Sequence, residues 1–322
     1  MSNPTGPFDP PTPETGKLPI PGTPAAAGTF TVPVPVEQAG TWHVSDSAAS
    51  KADPGFAFKV IVMGSGTSQG VPMIACDCEV CHSKDPRDKR TRSSIYVESP
   101  TTNILVDTTP ELRLQGCREG LRRIDAVLFT HDHADHIMGF DDLRRFCETT
   151  AAPMPIYSRQ QTLDALNRCF PWAFTFPEYI TYVNVTPYVI QPLKPFVLGD
   201  LRITAVELPH GRSGSLGFIF ERADMPNSPR LAYMSDCKAV PEPANEAAFG
   251  ADVLIVDGLR EKPHPTHMSV AEALEAGRVM QAKQIYLTHL THEKPHEQLL
   301  SELPPNAAPA FDGMKLELRQ RA

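Results

Sequence analysis

No apolar run in this 322-residue chain approaches the roughly 18 residues a membrane-spanning helix needs. Arginine is missing before Arg87, and the N-terminus lacks the basic-then-apolar order of a secretory signal. Neither a secreted precursor nor an arginine-rich organellar transit peptide is expected. Positive charge is short overall: 30 Lys and Arg face 38 Asp and Glu, a net charge of −8 at pH 7. That balance works against coating on nucleic acid or anionic lipid, and no lysine- or arginine-rich insertion supplies a basic arm. It leaves room for a small anionic substrate, because a local positive site can sit within a negative protein. Cysteine is sparse and odd in number, with three of the seven crowded at Cys76, Cys78 and Cys81. A metal site in a reducing compartment suits that arrangement better than a disulfide framework, so a cytoplasmic location is expected.

What is present divides the chain. The first 55 residues hold 11 of the 33 prolines, with Gly, Ala, Ser and Thr and only scattered apolar positions. Such a segment cannot bury enough surface to offset its ordering entropy, so residues 1–55 read as a disordered extension. Within it TFTVPVPVEQ is the one stretch able to dock as an edge strand. From Phe56 to Ala322 short β-branched runs recur, among them FAFKVIVM, SIYVES, NILVD, AVLFT, RITAVEL, LGFIFE, LAYMSD, DVLIVD and QIYLTH. Helix-like stretches lie between several of them, at 141–149, 161–169 and 269–282. Ser269 and Glu272 stand in the spacing of a capping box. The mixture predicts an α/β or α+β domain built on a mixed sheet. No internal repeat is visible in the sequence.

Many strand-like runs end in a residue able to bind a metal: Asp107, His210, Asp236, Asp257 and His289. AVLFT is followed at once by HDHADH at 131–136. Ligands gathered at one edge of a sheet would produce this regularity; a random scatter would not. His131 and His133, two apart in a loop leaving a strand, point the same way in extended geometry, whereas Asp135 and His136 face a second point where the chain turns into a helix. Imidazoles with a carboxylate suit zinc, manganese or iron better than calcium or magnesium alone.

HDHADH followed by His210, Asp236 and His289 resembles the metallo-β-lactamase-fold hydrolases. The resemblance covers nearly everything from about residue 57 onward. It implies a four-layer αββα sandwich, two mixed sheets flanked by helices, and two adjacent divalent cations, zinc or manganese. By that match His131, His133 and His210 would hold one metal and Asp135, His136 and His289 the other, with Asp236 bridging. A pair of cations can lower the pKa of a hydroxide held between them and accept charge on a phosphoryl group. Asp107 is expected to orient a ligand through a hydrogen bond.

The spacing C-x-C-x2-C of Cys76, Cys78 and Cys81 can supply three corners of a tetrahedral zinc. His82 is adjacent but awkwardly placed, and His292 is the expected fourth ligand. The remaining cysteines, Cys117, Cys147, Cys169 and Cys237, read as ordinary buried thiols. GSGTSQGVP, the three-cysteine loop, HDHADH and LTHLTH together look like the phosphoribosyl cyclic phosphodiesterase branch, in which the cysteines and a late His hold a structural zinc. The pyrroloquinoline-quinone biosynthesis branch shares a similar cysteine loop. GSGTSQG lacks the GK[ST] ending of a P-loop and reads as a tight strand-to-loop turn.

By the same resemblance His267 matches a histidine near the substrate that acts as general acid or phosphate contact, work that suits a pKa near neutral pH. His264 is expected in solvent. Arg90 and Arg92 are candidate phosphate contacts, since guanidinium matches phosphate oxygens in bidentate fashion. DTTPELR at 107–113 lacks the Gly that often follows the Asp in this superfamily.

The function these readings imply is hydrolysis of a small cyclic phosphate ester, of the phosphoribosyl type, by metal-bound hydroxide, with Asp236 and His267 in catalytic roles. The alternatives are transfer-RNA processing, cyclic-nucleotide cleavage, and a non-catalytic metal-binding role in cofactor biosynthesis. Expected partners are the small substrate, with neither extensive nucleic-acid binding nor a membrane; a homodimer stays open.

Overall fold

The β-branched runs become fourteen strands among the described residues. The computed structural model describes residues 53, 55–150, 152–175 and 183–321. The proline-rich stretch and its TFTVPVPVEQ segment lie outside them, apart from Asp53 and Gly55. One sheet is built from β1 (Phe56–Gly64), β2 (Ser94–Glu98), β3 (Asn103–Val106), β4 (Ala126–Leu128), β5 (Met154–Ser158) and β6 (Val185–Val189). The other holds β7 (Phe196–Leu198), β8 (Leu201–Leu208), β9 (Ser215–Arg222), β10 (Leu231–Met234), β11 (Val253–Asp257), β12 (Gln284–Thr288) and β13 (Ala307–Pro309). Strand β14 (Lys315–Arg319) returns to pair with β1 in the first sheet.

The first sheet runs β14-β1-β2-β3-β4-β5-β6 and the second β13-β12-β11-β10-β9-β8-β7. Taken from β14 in the first sheet and from β7 in the second, three antiparallel pairings are followed by three parallel ones. The architecture therefore repeats although the sequence does not, because strand pairing constrains pattern and not identity.

Successive side chains alternate between faces, and the sandwich uses both. Val60, Val62, Ile95 and Ile104 of the first sheet meet Phe218, Phe220, Tyr233 and Ile255 of the second. Leu254 and Val256, flanking Ile255, pack outward against Ala273 and Met280 of helix Val270–Met280 and Ala244 of helix Glu242–Ala248. On the far side Met63, Leu105 and Val127 cover Leu112, Leu163 and Leu166 of helices Leu112–Glu119 and Gln160–Cys169. Covering on both faces makes β10 and β11 continuous apolar runs, as in parallel sheets generally.

The expected helix at 141–149 resolves into a 3-10 turn, Phe140–Leu143, followed by helix Arg144–Thr150. Helix Val270–Met280 begins on a capping box: Glu272 N–H donates to Ser269 Oγ at 3.3 Å and Ser269 N–H to Glu272 Oε2 at 2.7 Å. GSGTSQG is a tight passage: a Cβ on Gly64 would run into the Arg92 carbonyl and one on Gly66 into that of Arg90. Cys147 and Cys237 are buried, but Cys117 and Cys169 are exposed, which corrects the reading of all four as interior thiols. Cys117 lies off the face of its helix that carries Leu112 and Gln115, and Cys169 closes its helix beyond Leu166, the last residue buried there. No helix among the described residues is long and apolar enough to cross a membrane.

Candidate metal centre

The strand ends converge. Asp107 follows β3, His131 follows β4 by three residues, His210 follows β8, Asp236 follows β10, Asp257 ends β11 and His289 follows β12. His133 is the extended N-cap of the short helix Ala134–Ile137, whose first turns carry Asp135 and His136. The ligating atoms of His131, His133 and His210 lie within 4.8 Å of one another, as do those of Asp135, His136, Asp236 and His289. Asp236 also groups with His210 and His267 at that spacing, so it stands between the two sets. Its Oδ2 is 3.3 Å from His136 Nε2 and 3.5 Å from His289 Nδ1.

Whether this chemistry suits a cation can be read from what it leaves unpaired. His131 Nε2, His136 Nε2, Asp236 Oδ2 and His289 Nδ1 are all buried without a hydrogen-bond partner. Buried polar atoms normally find partners, since an unmade bond costs about 1–3 kcal/mol. Three of these atoms belong to one ligand group and His131 Nε2 to the other, and such unpaired atoms fit bound divalent metal.

The outer hydrogen bonds fix which nitrogen each ring offers. His136 Nδ1 is 2.7 Å from Asp107 Oδ2, and His131 Nδ1 is 2.9 Å from Thr130 Oγ1, which itself donates to Asp107 Oδ2 at 2.8 Å. Thr130 N–H donates to Asp107 Oδ1, also at 2.8 Å. His210 Nδ1 donates to the Thr266 carbonyl at 3.0 Å, leaving Nε2 3.2 Å from His133 Nδ1.

Charge follows the same layout. Burial would push the His136 pKa down, but Asp236, Asp135 and Asp107 outweigh it and hold it well above the ordinary value. Burial would likewise raise Asp236, yet His289 and His136 keep it well below the carboxylate range. The carboxylates thus create a field that wants positive charge, which a proton or a cation can supply. Burial keeps His131 and His289 low, in the neutral form that ligates.

Two residues of this edge have left-handed backbones without being glycine: Asp107 at φ 66° and His289 at φ 58°. Such conformations cost about 1–3 kcal/mol each and persist where the surroundings over-determine them. Asp107 takes the turn itself, pinned by Thr130 and His136, and Thr108, where the glycine missing from DTTPELR would stand, is not left-handed.

His267 Nδ1 lies 2.7 Å from Asp257 Oδ2. The His267 ring stacks on His289, centroids 4.7 Å apart, and meets His210 edge-on at the same distance. Asp257 also accepts from the backbone N–H groups of Cys237 and Leu259. Sequence reasoning noticed Asp257 only as a strand-end residue; nothing in the spacing announces its pairing with His267. His264 is half-buried with its ring 5.1 Å from that of His267, not free in solvent as expected.

The second cluster forms around Cys76, Cys78, Cys81 and His292. His292 Nδ1 is 3.2 Å from the Sγ atoms of Cys76 and Cys78 and 3.6 Å from that of Cys81. Tetrahedral zinc with ordinary bond lengths separates sulfur and nitrogen ligands by about 3.5 Å. The Cys81 backbone N–H brings the Cys78 thiol down to about 6, helped by His292 against partial burial, which favours the thiolate. His82 stays outside, exposed and 3.9 Å from Asp77.

Arg90 is spent elsewhere, which corrects its phosphate-contact reading, while Arg92 stays partly exposed. The Arg90 side chain is 1% exposed and engages the Thr291 and Lys294 carbonyls and Asp88. Arg92 pairs with Glu111 and donates to the Ser68 carbonyl at 3.0 Å. The run leads into β2 beneath the cysteine loop, so its guanidiniums face protein carbonyls and carboxylates.

Residues 102–290 match the model of the β-lactamase superfamily domain, and the chain belongs to that family. Among solved structures, a new diphosphatase from the PhnP family aligns with a TM-score of 0.74 and 36% identity, covering 82% of this chain and 98% of that one. Zn²⁺-bound PqqB from Methylobacterium extorquens shares the fold, with a TM-score of 0.61 and 20% identity over 80% of this chain and 99% of that one. A Porphyromonas gingivalis protein named octanoyltransferase is 32% identical over 260 residues, 80% of this chain. The chain spans about half, 51%, of that relative's length. Coenzyme PQQ synthesis protein B of Methylorubrum populi is 29% identical, covering 62% of this chain and 72% of that protein.

Proposed function

We propose that the chain is a metal-dependent hydrolase that opens a small cyclic phosphate ester, with a phosphoribosyl cyclic phosphate as the substrate type. The observation that carries this reading is Asp236, standing between two ligand groups with the Asp257–His267 pair beside it. His131, His133 and His210 would hold one divalent cation, and Asp135, His136 and His289 the other, with Asp236 shared. Zinc or manganese there would supply Lewis acidity for the phosphoryl oxygens and for water. A structural zinc would sit on Cys76, Cys78, Cys81 and His292.

The chain's own residues do the rest. Asp107 and Thr130 fix the rings of His136 and His131, so the ligand nitrogens are preorganised. His267 uses Nδ1 on Asp257, which leaves Nε2 to take a proton from the attacking water and pass it to the departing ring oxygen. In the reaction one water is consumed: its oxygen bonds to phosphorus, the ring P–O bond breaks, and the ring oxygen is protonated. Similarity to the PhnP-family diphosphatase supports chemistry at phosphorus. It also makes a linear diphosphate the first competing substrate to try.

The net charge of −8 and the absence of a basic arm disfavour transfer RNA as substrate. A second reading, a non-catalytic role in cofactor biosynthesis, draws on the PQQ synthesis relatives; it requires zinc at the cysteine cluster and no turnover. The test is purified, metal-loaded protein assayed on ribose cyclic phosphates, cyclic nucleotides and linear diphosphates, with a filter-binding assay on transfer RNA. Opening of a ribose cyclic phosphate is expected. Failure on every cyclic phosphate ester with all metals retained would overturn the proposal.

A further inference from the structure

Arg90 is among the largest fully buried side chains of the described residues, and its guanidinium reaches neither substrate space nor solvent. It grips one segment. Its Nη1 donates to the Thr291 carbonyl and its Nη2 to the Lys294 carbonyl at 3.0 Å. Asp88, 3.3 Å away and itself buried, accepts from the His296 N–H at 2.7 Å. That segment, 288–296, carries both His289 and His292. On its near side Leu290 N–H donates to the Ser65 carbonyl at 2.9 Å, and Thr67 N–H to the Leu290 carbonyl at 3.2 Å. His289, left-handed at φ 58°, is thus followed at once by two anchors: the β1 exit loop holds Leu290 and the Arg90 side chain holds Thr291.

Burying a guanidinium is expensive, the more so here because Nε finds no partner and only the two Nη groups are used, and an apolar side chain would fill the space at lower cost. Its planar fork bonds two carbonyls three residues apart at fixed spacing, which a lysine ammonium on a flexible stem does not reproduce. We propose that Arg90, held by Asp88, is a positioning residue for the metal centre: it fixes the backbone at Thr291 and Lys294 and so aims the His289 imidazole at Asp236. The inference rests on the metal-centre reading, but not on the identity of the substrate.

Arg90→Lys keeps the charge and removes the fork. Cobalt(II) alone serves as probe, by chelator competition for affinity and by visible absorption for ligand geometry at the His/Asp groups. Leu254→Ala, a core truncation that removes none of the Arg90 hydrogen bonds, is the control for lost stability. The expected result is that Arg90→Lys weakens cobalt binding at the His/Asp groups about tenfold and shifts their absorption. In the loaded enzyme kcat should fall with KM little changed, while Leu254→Ala lowers the melting temperature only. If Arg90→Lys matched Leu254→Ala in cobalt affinity and spectrum, the proposal would be overturned. Should Arg90→Lys prove insoluble, Asp88→Asn is read by the same two criteria. A wild-type chain taking no cobalt at the His/Asp groups overturns this inference and the metal-dependent function together; turnover of an unexpected ester leaves the inference standing.

Discussion

Asp107 Oδ2 lies 2.7 Å from His136 Nδ1, joining the residue just after β3 to one 29 positions later in a helical turn. Asp107 is fully buried, and burial pushes its pKa up against the pull of His136 and Thr130. Its two oxygens take the Thr130 N–H, the Thr130 hydroxyl and the His136 ring, so it stands there as the acceptor that orients them. Asp107→Ala should free the His136 ring and weaken metal binding about 10–100-fold. Metal titration with a competing chelator checks this, and unchanged affinity would remove Asp107 from the centre.

His267 and Asp257 form the other oriented pair. His267→Gln should lower kcat by about 10²–10⁴ while metal content stays at the wild-type level. Asp257→Asn, which keeps the shape but loses the acceptor charge, should show a smaller fall in the same parameter. Metal analysis beside steady-state kinetics separates this from loss of a ligand; a His267→Gln protein with wild-type kcat would exclude the proton-transfer role.

The two clusters should come apart by mutation. Asp236→Ala is expected to lose metal from the His/Asp groups and activity with it, because one carboxylate serves both. Cys78→Ser should lose one zinc and mainly stability. Metal content and melting temperature on the two variants decide; Cys78→Ser with full zinc and an unaltered melting temperature would dispose of the cysteine site.

Among the carboxylates away from the centre that folding holds low, Asp252 is a partly buried contributor to acid sensitivity. Asp252 takes the Arg230 N–H at 2.7 Å, Lys283 Nζ at 2.8 Å and Arg321 Nε at 2.8 Å. Burial raises its pKa, but Arg321 and Lys283 outweigh this and hold it below the ordinary value. A carboxylate lowered by folding stabilises above its unfolded pKa, near 3.9, and that stability is lost as the pH falls through the folded value. Asp252→Asn should therefore cost about 1–2 kcal/mol at neutral pH. The gap from wild type should close in strong acid. Chemical denaturation of both proteins across that range measures it, and a gap independent of pH would assign the loss to packing.

Much of this was legible in the chain. HDHADH, its place after a strand, and the strand-end residues Asp107, His210, Asp236 and His289 mark a candidate metal centre in the sequence itself. Ser269 and Glu272 marked a helix start. These are signals carried by neighbouring residues, where backbone periodicity and cap chemistry act over three or four positions. Arg90 was misread for the same reason: DKRTRSS looks like a charged surface run, and nothing nearby in sequence shows that carbonyls some 200 residues later close over it.

By itself the sequence determined which side chains were available to a metal, the alternation of strand and helix, and the family resemblance. Tertiary structure alone decided that Asp257 meets His267, that Arg90 turns inward onto Thr291 and Lys294, and that Cys117 faces solvent. Those outcomes depend on how two seven-stranded sheets stack and which strand ends they bring to one edge. Contacts between distant segments are set by the packing of whole faces, so no local pattern of residues encodes them.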